Sequence, residues 1–158
     1  MGTRPTKAIG NVYCDARLEA AKYNDRLKSR EGAAELLGYA SSSTITDWEL
    51  GVKIPTPDAV LKMADLYNAP ELINKYCTEQ CPLGGNVPKV DMESLDRITV
   101  KTLSTFRKLS ETKEKLLDIT EDGIISDDEK NDMRSIIKHM EEIEKVAVSL
   151  KMWAEKNL

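Results

Sequence analysis

A run of small hydroxyl side chains is the feature of this 158-residue chain that bears most directly on chemistry. It lies within residues 29–51, SREGAAELLGYASSSTITDWELG, where Gly38 separates two short segments of apolar periodicity. This pattern predicts two helices joined by a tight turn, with the hydroxyl cluster at the start of the second helix. Such a second helix can lie in the major groove of DNA, with its N-terminal side chains near base edges and phosphates. The spacing therefore predicts a helix-turn-helix.

Five short helices are predicted to position this motif, within a domain of residues 1–80. The first covers residues 12–22; the second is capped by Ser29 and ends at Gly38. The third begins at Ser41 or Ser42 and stops at Gly51, the fourth follows Pro57, and the fifth runs from Pro70 to about Cys77. The side chains expected to face inward are Val12, Ala16, Ala20, Tyr23, Ile45, Trp48, Val60, Leu61, Ala64 and Leu66 or Tyr67.

The second half of the chain is predicted to be a helical hairpin. Residues 81–91 contain the sequence CPLGGNVP, which cannot continue a helix and indicates a linker. Residues 92–158 then show apolar positions at helical spacing, interrupted near Gly123, which favours two long antiparallel helices. The positions are Leu95, Ile98, Leu103, Phe106, Leu109 and Leu116, then Met133, Ile136, Met140, Ile143, Ala147, Leu150 and Trp153. One stripe per helix is buried in such a hairpin, so surplus apolar surface favours a homodimer.

Composition and charge limit the classes of function. The net charge is −4, but residues 1–76 carry ten basic and ten acidic side chains, so the acidic excess lies outside the predicted motif. A neutral DNA-binding half predicts modest affinity per monomer and a need for dimerisation. The sequence has no membrane-spanning apolar run and no signal-peptide pattern, and three cysteines do not suggest a disulfide framework. A cytoplasmic, reduced protein with no membrane association is expected.

A family resemblance rests on residues 10–76. Arg17 is followed by SREGAAELLG, by SSSTITDWELG and by KIPTP, in that order. This arrangement resembles the Xre family of regulators, the lambda repressor and Cro type. The resemblance implies an all-α fold, with a five-helix DNA-binding domain that acts as a symmetric dimer on double-stranded DNA.

The resemblance also implies roles for individual side chains. Arg17 and Glu49 match an ion pair between the first and third helices, and Arg30 stands where the family contacts a phosphate or a base. The full set expected at DNA is Lys28, Arg30, Ser42, Ser43, Thr44, Thr46, Asp47 and Lys53. The recognition helix lacks Arg, Asn and Gln, which make bidentate base contacts. Specificity is therefore expected from DNA shape, from Arg30, or from Arg4 and Lys7 in an N-terminal arm.

Two patterns could bind metal, although each also has a purely structural interpretation. The loop between the long helices matches an EF-hand, with candidate calcium ligands Asp118, Thr120, Asp122, Ile124 and Glu129. The same residues suit a polar turn in which Ser126 caps the next helix. Cys77 and Cys81 have the spacing of half a zinc site, or of two thiols at a helix end. Neither metal is the favoured interpretation, and no cofactor is expected.

The remaining signals argue against an enzyme. His139 is the single histidine and has no nucleophile pattern near it, and the chain has no phosphate-binding loop or dinucleotide-binding turn. The sequence thus favours a DNA-binding transcriptional regulator of the repressor type, from a phage or mobile element. Two alternatives stay open. One is a protein-interaction module of the antitoxin or anti-repressor type, which would bind a protein partner through the hairpin, and the other is a calcium-responsive regulator.

Overall fold

The computed structural model describes Ala8 and residues 10–121 and 123–158 of the chain. This part is built from eight α-helices and short 3-10 turns, with no strand. The all-α prediction, with a repressor-like domain followed by a helical hairpin, is confirmed. The chain divides into two compact units, Met1–Val87 and Pro88–Leu158. Within the described residues, no helix is both long and apolar enough to cross a bilayer.

Five α-helices form the first unit. They are α1 (Val12–Ala20), α2 (Arg30–Leu37), α3 (Ser42–Glu49), α4 (Pro57–Leu66) and α5 (Glu71–Glu79). They surround a single apolar cluster whose largest members include Leu27, Ile45, Met63 and Leu72, each about 1% exposed. Burial of such side chains contributes roughly 1.5–3 kcal/mol each, which makes this cluster the main source of the unit's stability.

Local capping sets the ends of these helices. The Ser29 hydroxyl accepts a hydrogen bond from the Gly32 amide at 3.0 Å, and Gly38 closes α2 at φ 80°. Ser41 rather than Ser42 caps α3, and Thr56 caps α4 with Pro57 in its first turn.

Four details of the first unit differ from prediction. Tyr23, expected to face inward, is 89% exposed, because α1 ends before it. Helix α1 ends at Ala20 rather than at residue 22, because the backbone tightens into a turn that precedes the 3-10 helix Asp25–Lys28. Helix α5 extends to Glu79, past Cys77. On α4, Leu61 is 53% exposed and Met63 is buried in its place. The prediction for the buried face of α4 was therefore wrong at Leu61 and missed Met63.

The connection between α1 and α2 is ordered by a close backbone contact. Its 3-10 helix, Asp25–Lys28, buries Leu27 and brings the Arg26 carbonyl against α2 at Gly32. A Cβ atom added at Gly32 would lie 2.0 Å from that oxygen. Glycine is therefore required at this position for space, and the contact fixes where α2 begins relative to α1.

The second unit is an antiparallel hairpin with a broken first arm. The arm consists of α6 (Leu95–Arg107) and α7 (Leu109–Thr120), and the return arm is α8 (Lys130–Asn157). Lys108 Nζ pairs with Glu142 and Lys115 Nζ pairs with Asp132, so residue numbers rise on one arm as they fall on the other. The prediction of one continuous helix over residues 92–119 is wrong, since the helix is interrupted at Lys108.

The interruption has an identifiable cause in α8. The Thr105 carbonyl accepts the Lys108 amide at 3.2 Å, a tight three-residue turn, and also lies 3.0 Å from His139 Nε2. Because a carbonyl only accepts, Nε2 is the donor in this contact. In a continuous helix the Thr105 carbonyl would accept the Leu109 amide. Here it accepts His139 Nε2, and a side chain inserted into the backbone hydrogen-bond ladder in this way breaks a helix.

The seam between the arms is narrow and partly polar. On the first arm the buried positions recur every seven residues, at Ile98, Thr105, Thr112 and Ile119. His139 lies opposite, with Nδ1 2.5 Å from the Thr112 hydroxyl. The remaining apolar side chains of the predicted stripe are 38–57% exposed; they are Leu95, Leu103, Phe106, Leu109 and Leu116. The expectation of surplus apolar surface on the hairpin agrees with these exposures.

Candidate nucleic-acid interface

Helices α2 and α3 and the turn between them form the candidate site. The Gly38 amide donates to the carbonyls of Ala34 and Glu35, and the Tyr39 amide donates to Ala34 O at 2.8 Å. These bonds satisfy the free carbonyls at the end of α2 and turn the chain sharply before Ser41. The turn thereby sets where α3 starts and which of its side chains face solvent.

The inner side of α3 is anchored in the core. Ile45 and Trp48 are buried, and the Trp48 ring packs edge-on against Tyr39 with centroids 5.2 Å apart. The Trp48 carbonyl accepts a hydrogen bond from the Asn11 side-chain amide at 3.0 Å. These contacts on opposite sides of one residue leave α3 little freedom to rotate about its axis.

A buried carboxylate ties α3 to both preceding helices. Glu49 accepts Arg17 Nε at 2.5 Å and Nη2 at 3.1 Å, and it also accepts Arg30 Nε at 2.7 Å. Arg17 Nη1 donates in addition to the Leu27 carbonyl at 2.7 Å. Burial opposes ionisation of Glu49, but the hydrogen bonds from Arg17 and Arg30 outweigh it and lower the pKa of this carboxyl from its ordinary value. The carboxylate is therefore charged near neutral pH.

Arg30 is not a freely exposed side chain, although it was predicted to contact DNA. Its side chain is 21% exposed and its Nε is committed to Glu49, so the residue has a structural role at the junction of α2 and α3. The ion pair of Arg17 and Glu49 was expected, but the third member, Arg30, was not. The sequence shows a basic side chain at the start of α2, but nothing in it indicates that Glu49 is the partner.

The outer side of α3 begins with hydroxyl side chains that form hydrogen bonds within the protein. The hydroxyls of Ser41 and Ser43 lie 2.9 Å apart, and the Ser42 hydroxyl donates to Glu31 at 3.1 Å. Thr46 Oγ1 donates back to the Ser42 carbonyl at 3.0 Å. Ser43 is exposed, whereas Ser42, Thr44, Thr46 and Asp47 are half-buried. Ser43 is thus the most accessible of the predicted contact residues on this helix.

The remaining basic candidates are paired with carboxylates. Lys53 Nζ lies 2.7 Å from Asp47 Oδ2, and Lys28 Nζ lies 2.6 Å from Asp25 Oδ1. Both lysine side chains are largely exposed, at 70% and 65%. Exposed pairs of this kind are worth under about 1 kcal/mol, so a phosphate can replace the carboxylate at little cost.

The predicted contact residues therefore fall into two groups. One group is fixed in the fold by the Glu49 carboxylate, and it contains Arg30. The other group is not held by Glu49. It consists of Lys28 in the 3-10 helix before α2, the α3 side chains Ser42, Ser43, Thr44, Thr46 and Asp47, and Lys53 after α3. Arg4 and Lys7 of the expected N-terminal arm lie outside the described residues.

The metal candidates are engaged in ordinary contacts where the structure describes them. Asp118 and Thr120 lie inside α7, and Glu129 accepts both the amide and the hydroxyl of Ser126, at 2.8 and 2.6 Å. These bonds order the turn before α8, but Ser126 does not cap that helix, which begins at Lys130 with Glu129 at its N-cap and no side-chain cap bond. Ile124 is exposed, and Asp122 lies outside the described residues. Cys77 and Cys81 are half-buried free thiols. Among the residues that the structure describes, no three side chains of metal-binding type lie together.

One of the comparisons with known proteins, the match to a family model, agrees with this geometry. No curated protein and no solved structure matches the chain significantly. Residues 17–72, from the middle of α1 to the start of α5, match the family model of the helix-turn-helix domain. The first unit therefore contains a helix-turn-helix domain, the type of domain found in DNA-binding regulators.

Proposed function

We propose that this chain is a sequence-specific, DNA-binding transcriptional repressor of the Xre type, encoded by a phage or mobile element and acting as a homodimer. The observation that carries the proposal is the anchored recognition helix. Trp48 and Glu49 fix α3 from the inside while its hydroxyl-bearing N-terminus faces solvent. A helix held in one orientation, with small polar side chains at its start, can enter the major groove without clashing with the DNA backbone.

Phosphate contacts would supply most of the affinity. Lys28 precedes α2 and Lys53 follows α3, so the two exposed ammonium groups lie at the two ends of the helix-turn-helix segment in the sequence. On binding, each would exchange its carboxylate partner for a phosphate oxygen. Only two of the predicted contact residues are exposed lysines, which supports modest affinity per protomer and binding as a dimer.

Base contacts would be few. Ser43 is exposed and can reach a base edge by exchanging its bond with Ser41, while Ser42 and Thr46 are half-buried and donate to Glu31 and to the Ser42 carbonyl. Asp47 would accept a hydrogen bond from cytosine once Lys53 moves to phosphate. Arg30 keeps Nε on Glu49 and would direct its remaining guanidinium nitrogens outward. This arrangement favours shape readout combined with one or two direct contacts.

Selection from a random double-stranded DNA library with the full chain tests the proposal, at low and at near-physiological salt. The expected result is a palindrome with half-sites about one helical turn apart. Binding that is non-specific, and that disappears near physiological salt, would contradict it. Such a result would favour the protein-interaction module instead, for which the neutral charge of residues 1–76 is the supporting observation.

Variants of the selected complex separate the residue roles. Lys53→Ala should weaken binding by roughly three- to tenfold at every sequence and reduce the salt dependence by about one phosphate contact. Ser43→Ala should change sequence preference more than affinity. Lys75→Ala is the matched control, because Lys75 lies beside Asp15 and Glu19 on the groove between α1 and α5. Equal effects of Lys53→Ala and Lys75→Ala would show that α3 is not the DNA-binding helix.

A further inference from the structure

One face of the hairpin has most of its exposed apolar side chains, with Lys113 among them, and the other face is polar. Glu111 and Lys115 of α7, together with Lys138 and Glu142 of α8, line a polar cleft on one side of the buried contact between Thr112 and His139. At 3.6 residues per turn, the apolar positions of each helix fall on the other side of that contact. Those positions are Phe106, Leu109, Leu116 and Leu117 on the first arm, and Met133, Ile137 and Met140 on α8.

The apolar face is large enough for a stable interface. Six of its side chains are between 38% and 59% exposed, and Leu103 adds a seventh at the edge. Half-exposed side chains of this size expose roughly 80–100 Å² each, so the set provides about 600–700 Å² per protomer, against ~800 Å² per partner in a standard interface. The polar rim can supply the difference. A patch of this size exceeds what isolated surface leucines explain.

The charges along α8 indicate which partner fits. Lys130 and Arg134 lie seven and three residues before Ile137, and Glu141 and Glu144 lie four and seven residues after it. All five are exposed side chains on the outer side of α8. Basic residues three and seven positions before the midpoint, and acidic residues four and seven positions after it, make this surface approximately complementary to itself when a second copy runs antiparallel.

The apolar side chains of the first arm are centred at the same level along the hairpin as Ile137 of α8. The two ion pairs that join the arms, Lys108 with Glu142 and Lys115 with Asp132, place Ile137 level with Glu111 and Thr112. The apolar side chains of that arm are distributed on both sides of this level. Phe106 and Leu109 precede it, and Leu116 and Leu117 follow it. A two-fold axis at this level would therefore bring apolar surface onto apolar surface along the whole face.

We propose that a second copy of this chain covers the apolar face, with α8 antiparallel to the partner's α8 about a two-fold axis at Ile137. The two hairpins form a four-helix bundle in which every neighbouring pair of helices is antiparallel. Arg134 exchanges its exposed contact with Asn131 for the partner's Glu141, and Lys130 exchanges its exposed ion pair with Asp127 for the partner's Glu144, each pair occurring twice. This inference rests on the homodimer of the proposed function and specifies its mode of assembly, and its test requires no DNA.

Charge reversal on the full chain tests the register, measured by analytical ultracentrifugation without DNA. Arg134→Glu and Glu141→Arg should each raise the dimer dissociation constant by at least roughly tenfold, because a single change creates two like-charge contacts in a symmetric dimer. The double variant, and an equimolar mixture of the two single variants, should return to within about threefold of the unmodified chain. Lys138→Glu, the same charge change on the polar face of α8, should leave the dissociation constant unchanged.

Three results would overturn the proposal. The chain could stay monomeric at all accessible concentrations, which would leave the face to a different partner. A dimer could persist in Arg134→Glu, or the double variant could fail to restore it; both would exclude the antiparallel register. Circular dichroism of each variant reports helix content, and restoration in the mixture separates lost pairing from lost folding. Because no DNA is present, failure here bears on the homodimer and its register, while the DNA contacts of α3 are tested separately by the library selection.

Discussion

The helix-turn-helix unit and the hairpin bury their side chains in opposite ways. In the first unit, five helices surround one cluster, so apolar stripes are largely covered and the charged exception, Glu49, has two arginine partners. In the hairpin, two arms share one seam, and that seam contains Thr105, Thr112 and His139 while leucines remain outside. An amphipathic pattern thus predicts burial only when the fold supplies enough neighbouring elements to cover it.

The largest loss of stability from a single substitution should occur in the first unit, at the buried Glu49 carboxylate. Glu49→Ala leaves Arg17 and Arg30 without their carboxylate and should cost about 3–5 kcal/mol of the free energy of unfolding. Chemical denaturation followed by Trp48 fluorescence measures it. Glu35→Ala is the control, since Glu35 forms an exposed pair with Arg26 and should cost under about 1 kcal/mol.

The Glu49 contribution also has a defined pH dependence. The pKa of this carboxyl is lowered in the folded protein, so its stabilisation is complete above the ordinary glutamate pKa and is lost as the pH falls through the lowered value. The gap between the unmodified chain and the variant should therefore narrow in acid. A gap that stays constant down to strongly acidic pH would show that Glu49 does not titrate as the geometry requires.

A smaller loss is expected from crowding the α1–α2 connection. Gly32→Ala places a methyl group against the Arg26 carbonyl, which is backbone and cannot swing aside, and should cost about 2–3 kcal/mol. Thermal unfolding measures the change. Gly85→Ala is the matched control, because a Cβ at Gly85 meets nothing within 4 Å. Similar melting temperatures for both variants would mean that the connection is not held by this contact.

The smallest of these effects should be in the hairpin. His139→Leu leaves the Thr112 hydroxyl and the Thr105 carbonyl each with one bond fewer and should cost about 1–2 kcal/mol. Adding Thr112→Val should recover part of the loss, because the buried hydroxyl is then removed as well. Denaturation followed at Trp153, which lies on α8, reports this unit. Additive losses in the double variant would show that the two side chains do not act as a pair.

Local signals explain what the sequence predicted well. Ser29, Gly38 and Pro57 act within one turn of their own position, so the ends of α2 and the start of α4 followed from residue type. The link from Arg30 to Glu49 could not be predicted in this way, because it depends on how α2 approaches α3. Leu61 and Met63 illustrate the same limit, since both suit an apolar stripe and only the packing of α4 separates them.

The candidate site was predicted in part for the same reason. Residue type and order located α3 and its hydroxyl-rich start, and the structure places these residues at the solvent-facing end of an anchored helix. The pairing of Lys28 with Asp25 and of Lys53 with Asp47 was not foreseen, although both pairs are close in sequence. Their geometry depends on the 3-10 turn before α2 and on the turn that follows α3.

The break at Lys108 makes the secondary structure of the first arm conditional on tertiary contact. The bond that divides α6 from α7 comes from His139, 34 residues beyond the carbonyl that it contacts. A peptide limited to residues 92–121 would lack this competitor, and the Thr105 carbonyl would be available to the Leu109 amide. In isolation the segment should extend through Lys108 as one helix, so docking of α8 shortens a helix that the local sequence would otherwise continue.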